Sequence, residues 1–204
     1  MTAADGDHDG RVPVHIRSIE YQAFEEPGGL TVVGRLRDSR PWAEGGPAVA
    51  RVHDMELRVT VDDTLTITAS DATMHTFPHT ECPGIVAAFR GLAGLQVGRG
   101  FTRRVQELFG GPRGCTHLEH LARSLGPVVI QAVTSRRARA VADGEAPDLI
   151  TGTASPWARD TCHIWAEGGV ADRKLAAGWR PGVGPYPSAP LESFLAPPAG
   201  GAPS

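Results

Sequence analysis

From Met55 to Val61 the chain alternates apolar and polar residues without a break, with Met55, Leu57, Val59 and Val61 on one side and Glu56, Arg58 and Thr60 on the other. After the polar triplet Asp62-Asp63-Thr64 the alternation resumes over Leu65-Thr-Ile-Thr-Ala69. Side chains two apart share a face of a strand, so this pattern predicts a hairpin in an antiparallel sheet that is covered on one side only. Upstream, Val12 to Ala23 is rich in β-type residues, with Val14 and Ile16 out of phase with Ile19 and Tyr21. The slip near Ser18 predicts a bulge. Pro27-Gly28-Gly29 reads as a turn, and Leu30 to Arg37 as a second strand with Leu30, Val32, Gly34 and Leu36 on one face. The stretch from Asp38 to Ala50, which contains Pro41, Trp42, Gly45, Gly46 and Pro47, reads as a surface loop.

Beyond Pro83 the period lengthens. Ile85, Ala88, Phe89 and Leu92 share one helical face, and Phe101, Val105, Leu108 and Phe109 share another. Gly110-Gly111-Pro112 ends the second helix. A third begins at Thr116, which forms a capping-box pattern with Glu119, and it turns Leu118, Leu121, Leu125, Val128 and Ala132 inward. Gly126-Pro127 is expected to kink it. Strands first and helices second predict an α+β fold: an N-terminal antiparallel sheet of about four strands with two to four helices packed on one face.

Composition narrows the picture. The 204-residue chain has a net charge of −3, which argues against nucleic acid or an anionic membrane as the main partner. No apolar run approaches the roughly 20 residues of a membrane-spanning helix. The acidic N-terminus has no apolar centre and does not read as a secretory signal. Residues 1–11 are therefore expected to be a disordered lead, 12–175 a single α+β domain and 176–204 a largely unstructured Pro/Gly-rich tail. Three widely spaced cysteines, Cys82, Cys115 and Cys162, do not suggest a disulfide framework. Free, catalytic or metal-bound thiols in a reducing cytoplasm are the expectation.

Candidate chemistry concentrates in Gly114-Cys-Thr-His-Leu-Glu-His120. Cys115 lies at the positive end of the third helix, which favours thiolate over thiol. His117 and His120, three apart, point to the same side. Thiolate with imidazole serves zinc or iron ligation and also a cysteine nucleophile with its base. Satellites sit at the ends of elements: His53-Asp54 before the best strand, Cys82 between sheet and helices, and Cys162-His163 late in the chain. Taken alone, Cys82 and Cys162 read more readily as small buried hydrophobes than as ligands. Arg103 and Arg104, with Arg99 and Arg113, form a candidate anion pocket, or a solvated helix face.

Several segments resemble a bacterial family known as "domain of unknown function 2889": Val52-His-Asp-Met55, Glu81-Cys-Pro83, Leu92-Ala-Gly-Leu95, Gly100-Phe-Thr-Arg-Arg104, Gly114-Cys-Thr-His-Leu118 and Asp160-Thr-Cys-His163. The resemblance runs from about His15 to Arg173. It implies no established activity, but it puts His53, Cys82, Cys115, His117, Cys162 and His163 inside the family's motifs. At the level of fold the order of elements is also similar to the iron–sulfur scaffold proteins. That likeness implies ligands at Cys82, Cys115 and His117, with Asp54 or His53 as a fourth.

The leading expectation is a cytoplasmic enzyme that uses zinc or iron on a small organic, anionic substrate. Cys115, His117, His53 and Cys82 would be the ligands, Asp54 a partner of a ligand or a general base, and Arg103 or Arg104 the substrate carboxylate's anchor. The alternatives are a zinc or iron–sulfur carrier, a metal-free enzyme with Cys115 as nucleophile and His117 or His163 as base, and a structural module.

Overall fold

A computed structural model describes residues 11, 13–144, 159–180 and 186–195. Apart from Arg11, the expected lead over 1–11 lies outside these residues, as do 181–185 and 196–204 of the expected tail. The described chain forms two compact units, 1–129 and 130–204.

The first unit is built on a four-stranded antiparallel meander in the order β1-β2-β3-β4, with β1 at Ile16–Glu26, β2 at Gly29–Ser39, β3 at Arg51–Asp62 and β4 at Ile67–Thr76. The α+β reading is correct. Pro27-Gly28 closes the first hairpin, with Gly28 at φ 78°, a left-handed value that glycine adopts without steric cost. The β1–β2 register then runs unbroken from Glu26↔Gly29 to Ile16↔Ser39, so the bulge expected near Ser18 is absent. The second hairpin turns at Asp62, whose Oδ1 accepts the Thr64 and Thr66 amides and the Thr64 hydroxyl. These bonds hold Asp62 below the ordinary carboxylate range.

The covered face carries Leu30, Val32, Leu36, Met55, Leu57, Val59, Val61 and Ile67, all buried. Burying one such side chain is worth about 1.5–3 kcal/mol, so the alternation alone selects which face turns inward. Against this sheet the chain lays a 3₁₀ helix (Cys82–Leu92), α2 (Phe101–Phe109) and the start of α3 (Thr116–Ala142). Phe89 and Phe109 stack with centroids 4.7 Å apart. The first helical segment is thus 3₁₀ rather than α. The segment 94–97 hydrogen-bonds to β4 and its turn through Ile67 and Leu65, which covers part of that sheet edge.

α3 runs as one helix across Pro127. Its large buried apolar side chains are Leu118, Leu121, Leu125, Val129 and Val133. Steps of four replace the expected Val128 and Ala132. Tyr21 on β1 donates its hydroxyl to the Leu121 carbonyl at 2.8 Å and ties sheet to helix. Burial pushes its pKa up to about 12.

The short helix α1 (Pro47–Ala50) lies between β2 and β3. In the second unit α4 (Val170–Ala176) and α5 (Leu191–Leu195) follow α3. There Lys174 donates to Ser188 Oγ at 3.0 Å and lies over the rings of Trp179 and Phe194. No helix among the described residues is long and apolar enough to cross a membrane.

Candidate metal centre

Strand register builds the site. Arg17 on β1, Asp38 on β2 and His53 on β3 stand directly opposite one another in adjacent strands. Their parity with Leu36, Met55 and Leu57 puts all three on the helix-covered face, at its end. Immediately beyond the row Ser39 pairs with Arg51, which leaves Val52 as an extra residue. A bulge of this kind ends regular pairing where a site needs room.

A fourth side chain arrives from α3. Glu119 N–H bonds the Cys115 carbonyl at 2.8 Å, so Cys115, not Thr116, occupies the N-cap position. His117 falls in the first turn. Its Nε2 lies 3.4 Å from Asp38 Oδ2, and Cys115 Sγ is 3.7 Å from its Nδ1. Gly114 makes this approach possible, because a Cβ there would run into the Phe109 carbonyl. Gly114→Ala is expected to shift the Cys115–His117 turn and to destabilise the protein by about 1–3 kcal/mol, read by urea unfolding.

Asp38 is the hub, with its side chain only 1% exposed. Arg17 grips it bidentately, Nε donating to Oδ1 and Nη2 to Oδ2, both at 2.7 Å. His15 Nε2 lies 3.2 Å from Oδ1 and His53 Nδ1 3.1 Å from Oδ2. The rings of His53 and His117 sit 3.8 Å apart at a tilt of 33°. Ligand atoms of Asp38, His53 and His117 all lie within 4.8 Å of one another. This cluster could coordinate a metal ion, and among the described residues no other group of three does so.

The electrostatics suit a cation. Burial pushes the Asp38 carboxyl upward, but the hydrogen bonds and charge of Arg17, with His15 and His53, outweigh it and hold the pKa at about 2. Asp38 is therefore ionised at neutral pH. Burial is also the main cause that lowers His117, assisted by neighbouring His53. A neutral imidazole keeps the lone pair that ligation requires.

The other sequence candidates are distributed differently. Asp54 follows His53 on the strand and so points to the opposite face. There Arg35 holds it bidentately at 2.6 and 2.8 Å, with Arg51 at 3.4 Å and Arg37 at 3.7 Å. Cys82 opens the 3₁₀ helix, half-buried, and is not a member of the three-ligand cluster. Arg103 and Arg104 both pair with Glu107 on the exposed side of α2. His120 is exposed, and Cys162 and His163 lie exposed in a turn of the second unit. The cluster thus combines His53 and His117 with three residues absent from the sequence candidates: Asp38, Arg17 and His15.

The protein family described as "Protein of unknown function (DUF2889)" matches residues 15–131. The chain belongs to this family. The matched stretch begins at His15 and includes Arg17, Asp38, His53, Cys82, Cys115 and His117, and it ends before Cys162-His163. Every member of the Asp38 cluster therefore lies in the DUF2889 region. No curated protein and no solved structure matches the chain.

Proposed function

We propose that the protein is a metal-dependent enzyme of the cytoplasm that acts on a small organic substrate, with Zn²⁺ or Fe²⁺ held by Asp38, His53 and His117. The observation that carries this reading is the convergence of two imidazoles on one oxygen of a buried, ionised carboxylate. Two histidines and a carboxylate are a donor set for both ions and leave coordination positions free. Bound there, such an ion would supply a Lewis acid beside a position open to water or substrate.

The chain's own groups have separable tasks. Arg17 fixes the carboxylate's plane by its two-point grip and leaves Oδ2 shared with the imidazoles. Cys115, against the far nitrogen of His117, sets that ring's tautomer by hydrogen bonding. Asp54 and Cys82 stand outside this donor set, and Asp54 is held by the arginines of the opposite sheet face. A donor set rich in imidazole and carboxylate favours an enzyme over an iron–sulfur carrier, which would need mostly thiolates.

A second reading has an observation of its own. Cys115 Sγ, His117 and Asp38 form a line of thiol, imidazole and carboxylate, the order used by cysteine nucleophiles. That relay requires one histidine only, and the convergence of His53 on the same oxygen supports the metal reading over it.

Elemental analysis of protein purified without chelator tests the choice. Zinc or iron near stoichiometry is expected, with large losses in His53→Ala and His117→Ala. Absence of metal after anaerobic purification, with alkylation of Cys115 abolishing activity, would sink the metal reading in favour of the thiol one.

A further inference from the structure

We infer that Arg17 and His15 form an anion-recognition edge of the metal centre, and that the substrate carries a carboxylate or phosphate group there. The inference rests on the metal reading above. It starts from the two ends of Asp38. Arg17 spans both oxygens; beside it the two imidazoles lie against Oδ2, whereas His15 Nε2 lies against Oδ1.

Exposure differs in the same sense. The side chains of His53 and His117 are 17% and 19% exposed, but those of Arg17 and His15 are 38% and 49% exposed. A molecule approaching Asp38 from solvent therefore meets Arg17 and His15 first. Two of the five guanidinium N–H donors of Arg17 go to Asp38, and the fork geometry suits a second planar or tetrahedral oxyanion beside the first.

Charge points the same way. Arg17 and Asp38 cancel, so a divalent ion would leave the centre with a net positive charge. The N-terminus of α3, a 27-residue helix, adds its positive end where His117 stands. A centre of that sign selects an anion over a neutral molecule. Arg17 is thereby the anchor that the sequence pattern assigned to Arg103 or Arg104, whose guanidinium groups are engaged with Glu107.

The test uses the full chain, stripped with chelator and reloaded with Zn²⁺ or, anaerobically, Fe²⁺, with metal content measured on every sample. Calorimetric titrations with inorganic phosphate, succinate and neutral 1,4-butanediol follow, on wild type, Arg17→Gln and Arg17→Lys. The expected result is that wild type binds phosphate or succinate and not the diol, and the stronger of the two identifies the anionic group. Arg17→Gln with full metal should lose about ten- to hundred-fold of that affinity, and Arg17→Lys should recover part of it. Equal anion affinity in wild type and fully loaded Arg17→Gln would overturn the inference and leave the metal centre standing. Failure of wild type to take up either metal would overturn the metal reading and this inference together.

Discussion

Replacing Asp38 by Asn is expected to reduce affinity for Zn²⁺ or Fe²⁺ by roughly 100-fold or more, beyond the effect typical of residues that only support a ligand. The reasoning is electrostatic. Asp38 is the sole carboxylate among the three clustered ligands and the partner of Arg17, so the amide removes the charge that balances both cations. His53 and His117 then face a neutral group beside an uncompensated guanidinium, and the local potential turns against a divalent ion. Metal titration by calorimetry reads the effect directly. Near-native affinity in Asp38→Asn would show that the carboxylate does not hold the ion. Stability should fall as well, by roughly 1–3 kcal/mol, because Arg17 is partly hydrated and recovers some of what it loses.

Asp54→Ala should do the reverse, a large loss of stability with little change in metal binding. Asp54 is buried on the opposite face of the sheet among Arg35, Arg37 and Arg51. Its removal breaks a bidentate pair and leaves three cations facing one another. About 2–4 kcal/mol is expected in urea unfolding of the chelator-treated protein. Burial raises the Asp54 carboxyl, but Arg35, Arg37 and Arg51 outweigh it and hold it below the ordinary carboxylate range. A carboxylate depressed on folding contributes stability that is complete above its unfolded pKa and is lost as pH falls through the folded one. Wild type should therefore weaken as pH drops below about 4, and Asp54→Ala should weaken less over that range. A matching decline in metal affinity would instead draw Asp54 into the centre, as its place beside His53 in the sequence suggested.

These two residues also show what a one-dimensional reading reaches. The hairpin around Asp62, the helical faces at Phe89, Phe101 and Leu118, and the glycine stop at Gly110 all follow from local periodicity and turn chemistry. His53, Cys115 and His117 were visible because thiol and imidazole are uncommon and stood at element ends. Asp38 was not, because an aspartate next to Ser39, Arg40 and Pro41 has the composition of a loop. The β1–β2 turn does set one relation that the sequence holds: counting back from Pro27-Gly28 pairs Arg17 with Asp38.

The sequence by itself determined the fold class, the apolar faces of β2 and β3, the inner face at the start of α3, and the presence of a Cys/His pair there. The alternation of apolar residues and the turn residues act over a few positions, and their consequences can be read there. Only the tertiary structure decided that Asp38 and His53 stand opposite each other, because residues 40–50 between β2 and β3 include no two-residue turn that would fix a register. It alone ended the regular pairing at Val52, just beyond His53, and swung His117 onto the same carboxylate. Both results depend on where a bulge falls and how a helix docks, and burial of the whole apolar face settles these, not any short run of residues.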